Sequence, residues 1–163
     1  MIKKQNVGNA GEYYLAARLS ALDFTVTITL GRAEKYDILA LSPSGRLIKI
    51  SVKTTQRPDA KSFPMSSKDE TGASDDFYYA FIRFNDFSEE PDFWIVPSLE
   101  FCPILREGHQ EWLDTPGKDG QKHKTTSMRQ FNVELNDNKK KTHPKWQKVL
   151  DKNYKNLEQL IIN

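Results

Sequence analysis

Tyr36-Asp37-Ile38-Leu39-Ala40-Leu41, then Ser42-Pro43-Ser44-Gly45, then Arg46-Leu47-Ile48-Lys49-Ile50-Ser51-Val52-Lys53-Thr54 is the stretch on which the fold turns. Two apolar runs flank four residues of strong turn chemistry, which predicts an antiparallel hairpin with strands over 36–41 and 46–54. Side chains alternate along a strand, so Ile48, Ile50 and Val52 share one face while Lys49, Ser51 and Lys53 share the other. Such a strand packs a core with one face and lines a site with the other. Asp37 lies within the apolar first strand, where a carboxylate needs a partner to offset its lost hydration.

Upstream, 6–22 reads as a helix, with Asn6 or Asn9 as cap and Tyr14, Leu15, Leu19 and Leu22 as the apolar positions. Residues 24–30 read as a strand and 31–35 as a turn. Downstream, 55–76 lacks periodicity and reads as a long loop. Aromatic-rich strands follow at 77–84 and 93–96. Pro97 ends the second, and Ser98 is placed to cap a short helix over 99–106. The basic region 108–143 reads mostly as loop with one strand at 131–135. Pro144 suits the first turn of a last helix over 144–161, striped by Trp146, Val149, Leu150, Tyr154, Leu157, Leu160 and Ile161.

The 163 residues fit one domain, 1–163, with 37% hydrophobic and 28% charged residues in an ordinary globular balance. No apolar run is long enough for a membrane span, and no signal-like apolar core follows the N-terminus, so a cytoplasmic location is expected. Cys102 is the only cysteine, which excludes an internal disulfide and a Cys-based zinc site and reads as a packed thiol. The net charge of +2 hides an asymmetry: 69–92 holds eight acids and one base, whereas 118–148 holds nine bases and three acids. Within the basic segment, Lys118, Lys122, Lys124 and Arg129 are candidates to follow a phosphate backbone.

Gly8-Asn9-Ala10-Gly11-Glu12, Tyr36-Asp37-Ile38-Leu39-Ala40 and Ile50-Ser51-Val52-Lys53-Thr54-Thr55 together resemble the PD-(D/E)XK nuclease superfamily, most closely its resolvase-like and restriction-like members. The resemblance covers the core motifs over 8–55. It implies an α/β, restriction endonuclease-like fold: a mixed sheet opening α-β-β-β and flanked by helices. It also implies hydrolysis of DNA phosphodiester bonds with Mg²⁺ or Mn²⁺, which neutralises the phosphate and activates water. Glu12 and Asp37 correspond to its metal ligands, and the Val52 carbonyl is a further ligand. Lys53 corresponds to the lysine that positions water and stabilises developing charge. Ser51 stands where the pattern has Asp or Glu, and a serine is a poor metal ligand. Thr54 and Thr55 extend the site edge as candidate phosphate contacts. DNA is the implied partner, and a homodimer is the assembly that brings two sites to two strands.

Pro58-Asp59-Ala60-Lys61 mimics the motif name but follows no apolar strand and is expected to be a decoy. His109, His123 and His143 are too widely spaced for a metal pattern and read as surface histidines. No GxxxxGK[ST] string is present, so no nucleotide cofactor is implied. The resemblance leaves an alternative that Ser51 favours: a catalytically inactive module of the same fold that binds nucleic acid or a protein partner. A third reading is an interaction protein that uses the acidic middle segment, as an immunity protein would.

Overall fold

The computed structural model describes residues 2–29 and 35–162. The expected turn at 31–35 lies, except for its last residue, outside them. Helix α1 spans Lys4–Ser20 and buries Val7, Gly11, Leu15 and Leu19, one residue per turn along one stripe. It starts earlier than Asn6, so neither Asn6 nor Asn9 caps it, and Lys3 at the cap position bonds only through its backbone. The chain leaves α1 through Asp23, at φ 65°, a left-handed conformation that Asp tolerates better than most residues.

Strands β1 (Thr25–Ile28), β2 (Ile38–Leu41) and β3 (Leu47–Thr55) follow. The predicted hairpin is present: Gly45 N–H donates to the Ser42 carbonyl at 2.9 Å, and Ile38 to Leu41 pair antiparallel with Ile50 to Leu47. Strand β4 (Ser62–Ser66) and a 3₁₀ turn (Ser67–Glu70) then occupy the expected 55–76 loop. They belong to the crossover that returns the chain to β5 (Phe77–Arg83), parallel to β3. Strand β6 (Asp92–Pro97) is antiparallel to β5, which completes a five-stranded mixed sheet in the order β1-β2-β3-β5-β6. Strand β5 is buried on both faces, consistent with its unbroken run Phe77-Tyr78-Tyr79-Ala80-Phe81-Ile82.

Each face of the sheet carries a core. On one, Ile48, Ile50, Ala80 and Ile82 pack with Leu15 and Leu19 of α1 and with Leu157 and Leu160 near the C-terminus. On the other, Tyr79, Phe81 and Val96 pack beneath Phe101, Cys102 and Leu105 of α2 (Ser98–Asp114). That core also takes Phe63 of β4 and Phe131 of β7 (Met128–Asn132), which pair as a separate two-stranded sheet. Trp146 and Leu150 of α4 (Pro144–Asn153) close it.

Four expectations for the chain after 97 are corrected. Ser98 is the first helical residue rather than the cap; its hydroxyl instead donates to the Ser74 carbonyl at 2.9 Å and accepts from Ser74 N–H at 3.0 Å. Helix α2 runs on to Asp114, so the loop region is shorter than read. Strand β7 lies three residues earlier than expected and is followed by helix α3 (Asp137–Thr142), capped by Asn136. The last helix breaks after Asn153: Tyr154 bridges to Trp94, Lys155 N–H donates to the Phe93 carbonyl at 2.8 Å, and α5 (Gln159–Ile162) begins afresh. Among the described residues no helix is long and apolar enough to cross a membrane.

Phe81 is fully buried, with ring centroids 4.5 Å from Phe131, 5.2 Å from Phe63 and 5.4 Å from Phe101. Phe81→Ala is expected to cost roughly 3–5 kcal/mol of stability, from lost transfer energy plus the cavity left among three rings. Urea denaturation measures it, and a loss below about 1 kcal/mol would mean that this core is not packed as described.

Candidate functional site

Strands β2 and β3 separate just beyond the Ile38–Ile50 pair. Asp37 N–H donates to the Ile50 carbonyl at 2.9 Å, and Thr29 N–H donates to the Asp37 carbonyl at 2.9 Å, so the Asp37 backbone is held on both sides. The next outward-facing amide on β3, that of Val52, donates to Asp37 Oδ2 at 2.6 Å. A carboxylate thus takes the place a backbone carbonyl would fill in a longer ladder. Ser51 Oγ donates to the same oxygen at 3.3 Å and accepts from Lys53 Nζ at 2.8 Å. Ser51 is buried, and its hydroxyl is used in both directions, as donor to the acid and acceptor from the base. Alternation along β3 turns the Val52 carbonyl to the same side as its amide, toward Asp37.

Glu12 enters from α1, on the opposite face of β3 from Ser51 and Lys53. Helix and strand come close because position 11 is glycine: a Cβ there would lie 2.0 Å from Thr54 Oγ1. The Glu12 carboxyl is raised above its ordinary value, first by burial and then by the negative charge of Asp37, with Lys53 pulling the other way. Hydrogen bonds bring Asp37, Ser51 and Lys53 together at the opening between β2 and β3, and Glu12 on α1 feels the charges of Asp37 and Lys53.

Two carboxylates within electrostatic reach of one ammonium leave this region short of positive charge, which a hard divalent cation would supply. Mg²⁺ commonly takes one or two carboxylates and keeps several waters. Glu12, Asp37 and the Val52 carbonyl fit such a donor set. Among the described residues no group of three or more His, Cys, Asp or Glu is placed to hold a metal ion, so water would fill the remaining positions. Ser51, committed to Lys53 and Asp37, adds no charge.

Two of the expected phosphate contacts are corrected. The Thr54 hydroxyl is buried under α1 with no hydrogen-bond partner and does not reach the surface. Arg129 is not part of an open basic surface. Its guanidinium makes a two-pronged pair with the Glu70 carboxylate, with side chains 6% and 14% exposed, and its Nη1 donates to the carbonyls of Thr126 and Met128. It ties β7 to the 3₁₀ turn. Lys118, Lys122 and Lys124 are exposed after α2, and Thr55 Oγ1 accepts from Arg57 N–H at 3.2 Å.

The remaining candidates fall where their chemistry suggests, with one exception. Asp59 of the decoy string is exposed and pairs with Arg57 at 3.2 Å. Cys102 is buried, its thiol donates to the Asp69 carbonyl, and burial raises its pKa. The exception is the histidines. His109 and His123 stack on Trp112, with centroids 5.6 and 4.0 Å away, and His143 lies 3.7 Å from the Glu111 carboxylate. An indole between two imidazoles has no signature in sequence spacing.

No family model matches the chain, and no curated protein matches it. Among solved structures, that of a bacterial homing endonuclease, I-Ssp6803I, is similar with a TM-score of 0.46 at 15% identity, over 94% of this chain and 95% of that one.

Glu12 generates a pH-dependent expectation. Its folded pKa is raised, so its contribution to stability is present below the unfolded value near 4.5 and is lost as pH rises through the folded value. Glu12→Gln should therefore stabilise the metal-free protein at neutral pH, and the advantage should shrink toward pH 4. Thermal melts at the two pH values read it, and an equal difference at both would remove Glu12 from the pair.

Gly11→Ala should push α1 off β3, cost about 1–3 kcal/mol through overpacking and return the Glu12 pKa toward its ordinary value. A carboxyl-carbon NMR titration follows that pKa. An unmoved pKa would mean that the close approach at Gly11 does not set Glu12.

Proposed function

We propose that the chain is a metal-dependent nuclease of the PD-(D/E)XK type that hydrolyses phosphodiester bonds in DNA. The observation that carries this reading is the bonded series Lys53–Ser51–Asp37 at the opening of β2 and β3, with Glu12 electrostatically coupled to it. Bound Mg²⁺ or Mn²⁺ would neutralise charge on the phosphate and lower the pKa of a water. Asp37 holds its place through Val52 N–H, which fixes the carboxylate before any ligand arrives. Glu12 supplies the second carboxylate from the other face. Lys53 presents its ammonium to the attacking water and the developing negative charge. Ser51 orients both Lys53 and Asp37 and takes no part as a ligand. The exposed Lys118, Lys122 and Lys124 would follow the backbone outside the site, and a homodimer would carry two sites to two strands.

A second reading has its own observation: at position 51, where the resemblance has an acid, a hydroxyl holds the Lys53 ammonium. In that case the fold is a nucleic-acid-binding module without chemistry. Cleavage of labelled DNA in Mg²⁺ and Mn²⁺, with metal affinity measured alongside, separates the two. In the nuclease, Asp37→Ala abolishes metal binding and cleavage. Lys53→Ala keeps metal binding and slows cleavage by about 10²–10³-fold, the usual effect of removing a group that stabilises charge in the transition state. Ser51→Glu raises metal affinity with equal or greater activity. DNA binding without cleavage in any divalent metal, together with tighter metal binding but no cleavage in Ser51→Glu, would establish the binding module instead.

A further inference from the structure

A cavity of about 430 Å³ opens beside the candidate site, lined by Lys35, Tyr36, Lys49, Gly72, Ser74 and Phe77. That volume lies within the roughly 300–1,000 Å³ of small-molecule sites. Its walls run into the site: Tyr36 immediately precedes Asp37. Lys49 lies two residues before Ser51 on the same face of β3, about 6–7 Å along the strand.

The lining has a definite chemistry. Lys49 pairs with Asp76 at 2.8 Å, and Asp76 also accepts from Ser74 Oγ at 2.5 Å, so that charge is matched within the wall. Lys35 is exposed, and no carboxylate pairs with it among the described residues. Its ammonium lies over Gly72, where a Cβ would come within 2.7 Å of it. Gly72 has φ +80°, which glycine adopts without strain, so a bare backbone there leaves room for the lysine. The same lining includes two aromatic side chains, the half-buried Tyr36 and the buried Phe77, which pack with the core of α2. A cation and aromatic side chains in one lining suit a ligand that is anionic at one end and planar at the other.

We propose that this cavity holds one nucleotide of the strand being cut, next to the scissile phosphate, with its phosphate against Lys35 and its base against Tyr36 and Phe77. The identity of the ligand rests on the nuclease reading above. A base laid against these aromatic side chains has left the duplex stack, so the nucleotide proposed for the cavity is unpaired. The expected substrate is therefore DNA with an unpaired nucleotide at the cut, such as a flap or frayed end, over an intact duplex. Taking a base from a duplex costs unstacking and unpairing that an unpaired base avoids.

The test uses the whole chain in EDTA and titrates 2′-deoxynucleoside 5′-monophosphates while amide shifts of Lys49 and Phe77 are followed by NMR. Saturable shifts are expected in the wild type and in Asp37→Ala. Lys35→Glu, at an exposed position that leaves the core untouched, should weaken binding about tenfold or more, the worth of one charge-assisted hydrogen bond. Tyr36→Ala should weaken the nucleotide but not inorganic phosphate. Equal binding of inorganic phosphate and nucleotide would overturn the base contact, and no saturable shift would overturn the site. Cleavage assays on flap and duplex DNA are read separately. Cutting without nucleotide binding removes the cavity and leaves the nuclease. Nucleotide binding without cutting in any divalent metal leaves a nucleotide-binding cavity and removes its place beside a scissile bond.

Discussion

One hydrogen bond organises the candidate site: the Val52 amide to the Asp37 carboxylate. A β-ladder that stops leaves backbone groups unpaired, and a buried amide without a partner costs about 1–3 kcal/mol. Here the strand that turns away leaves its side chain behind as the acceptor. The same bond therefore ends the β2–β3 ladder without an orphaned donor and fixes the direction of Asp37, on the side to which strand alternation also turns the Val52 carbonyl. Ser51 and Lys53 are built onto that oxygen, and Glu12 is coupled to it from across the strand.

The arrangement sets stability against charge. Burial and the charge of Asp37 both disfavour an ionised Glu12, on a helix that Gly11 lets approach β3 closely. The close approach at Gly11 leaves the Thr54 hydroxyl buried without a partner, a second polar group held at a cost.

The hairpin and its two faces were legible in the sequence because alternation and a Ser-Pro-Ser-Gly turn act over a few residues. Asp37, Ser51 and Lys53 were legible as neighbours because hairpin register is local, whereas Glu12, on a helix outside the hairpin, joined them only through the family resemblance. Elsewhere, long-range partners overrode local signals. Ser98 has ideal capping chemistry but spends its hydroxyl on Ser74, and Arg129 reads as surface charge until Glu70, fifty-nine positions away, appears beside it. Strand β4 was hidden by Pro64, which is tolerated because a two-stranded ribbon consists only of edges. The last helix was read as continuous because nothing local announces that Tyr154 will leave it to bridge Trp94.

That bridge makes the two rims of the main sheet unequal. An unpaired rim is a template on which another chain can add a strand. At β6 the template is partly used up from within, since Tyr154 lies against Trp94, Lys155 takes the Phe93 carbonyl and the Tyr154 hydroxyl reaches Asp92 at 2.5 Å. The opposite rim, β1, has four residues, with Thr25 and Thr27 exposed. A strand that short offers few ladder bonds to a newcomer. A second copy of this chain would therefore find little to gain by extending the sheet, and self-association would have to be built from side chains on the helices and loops.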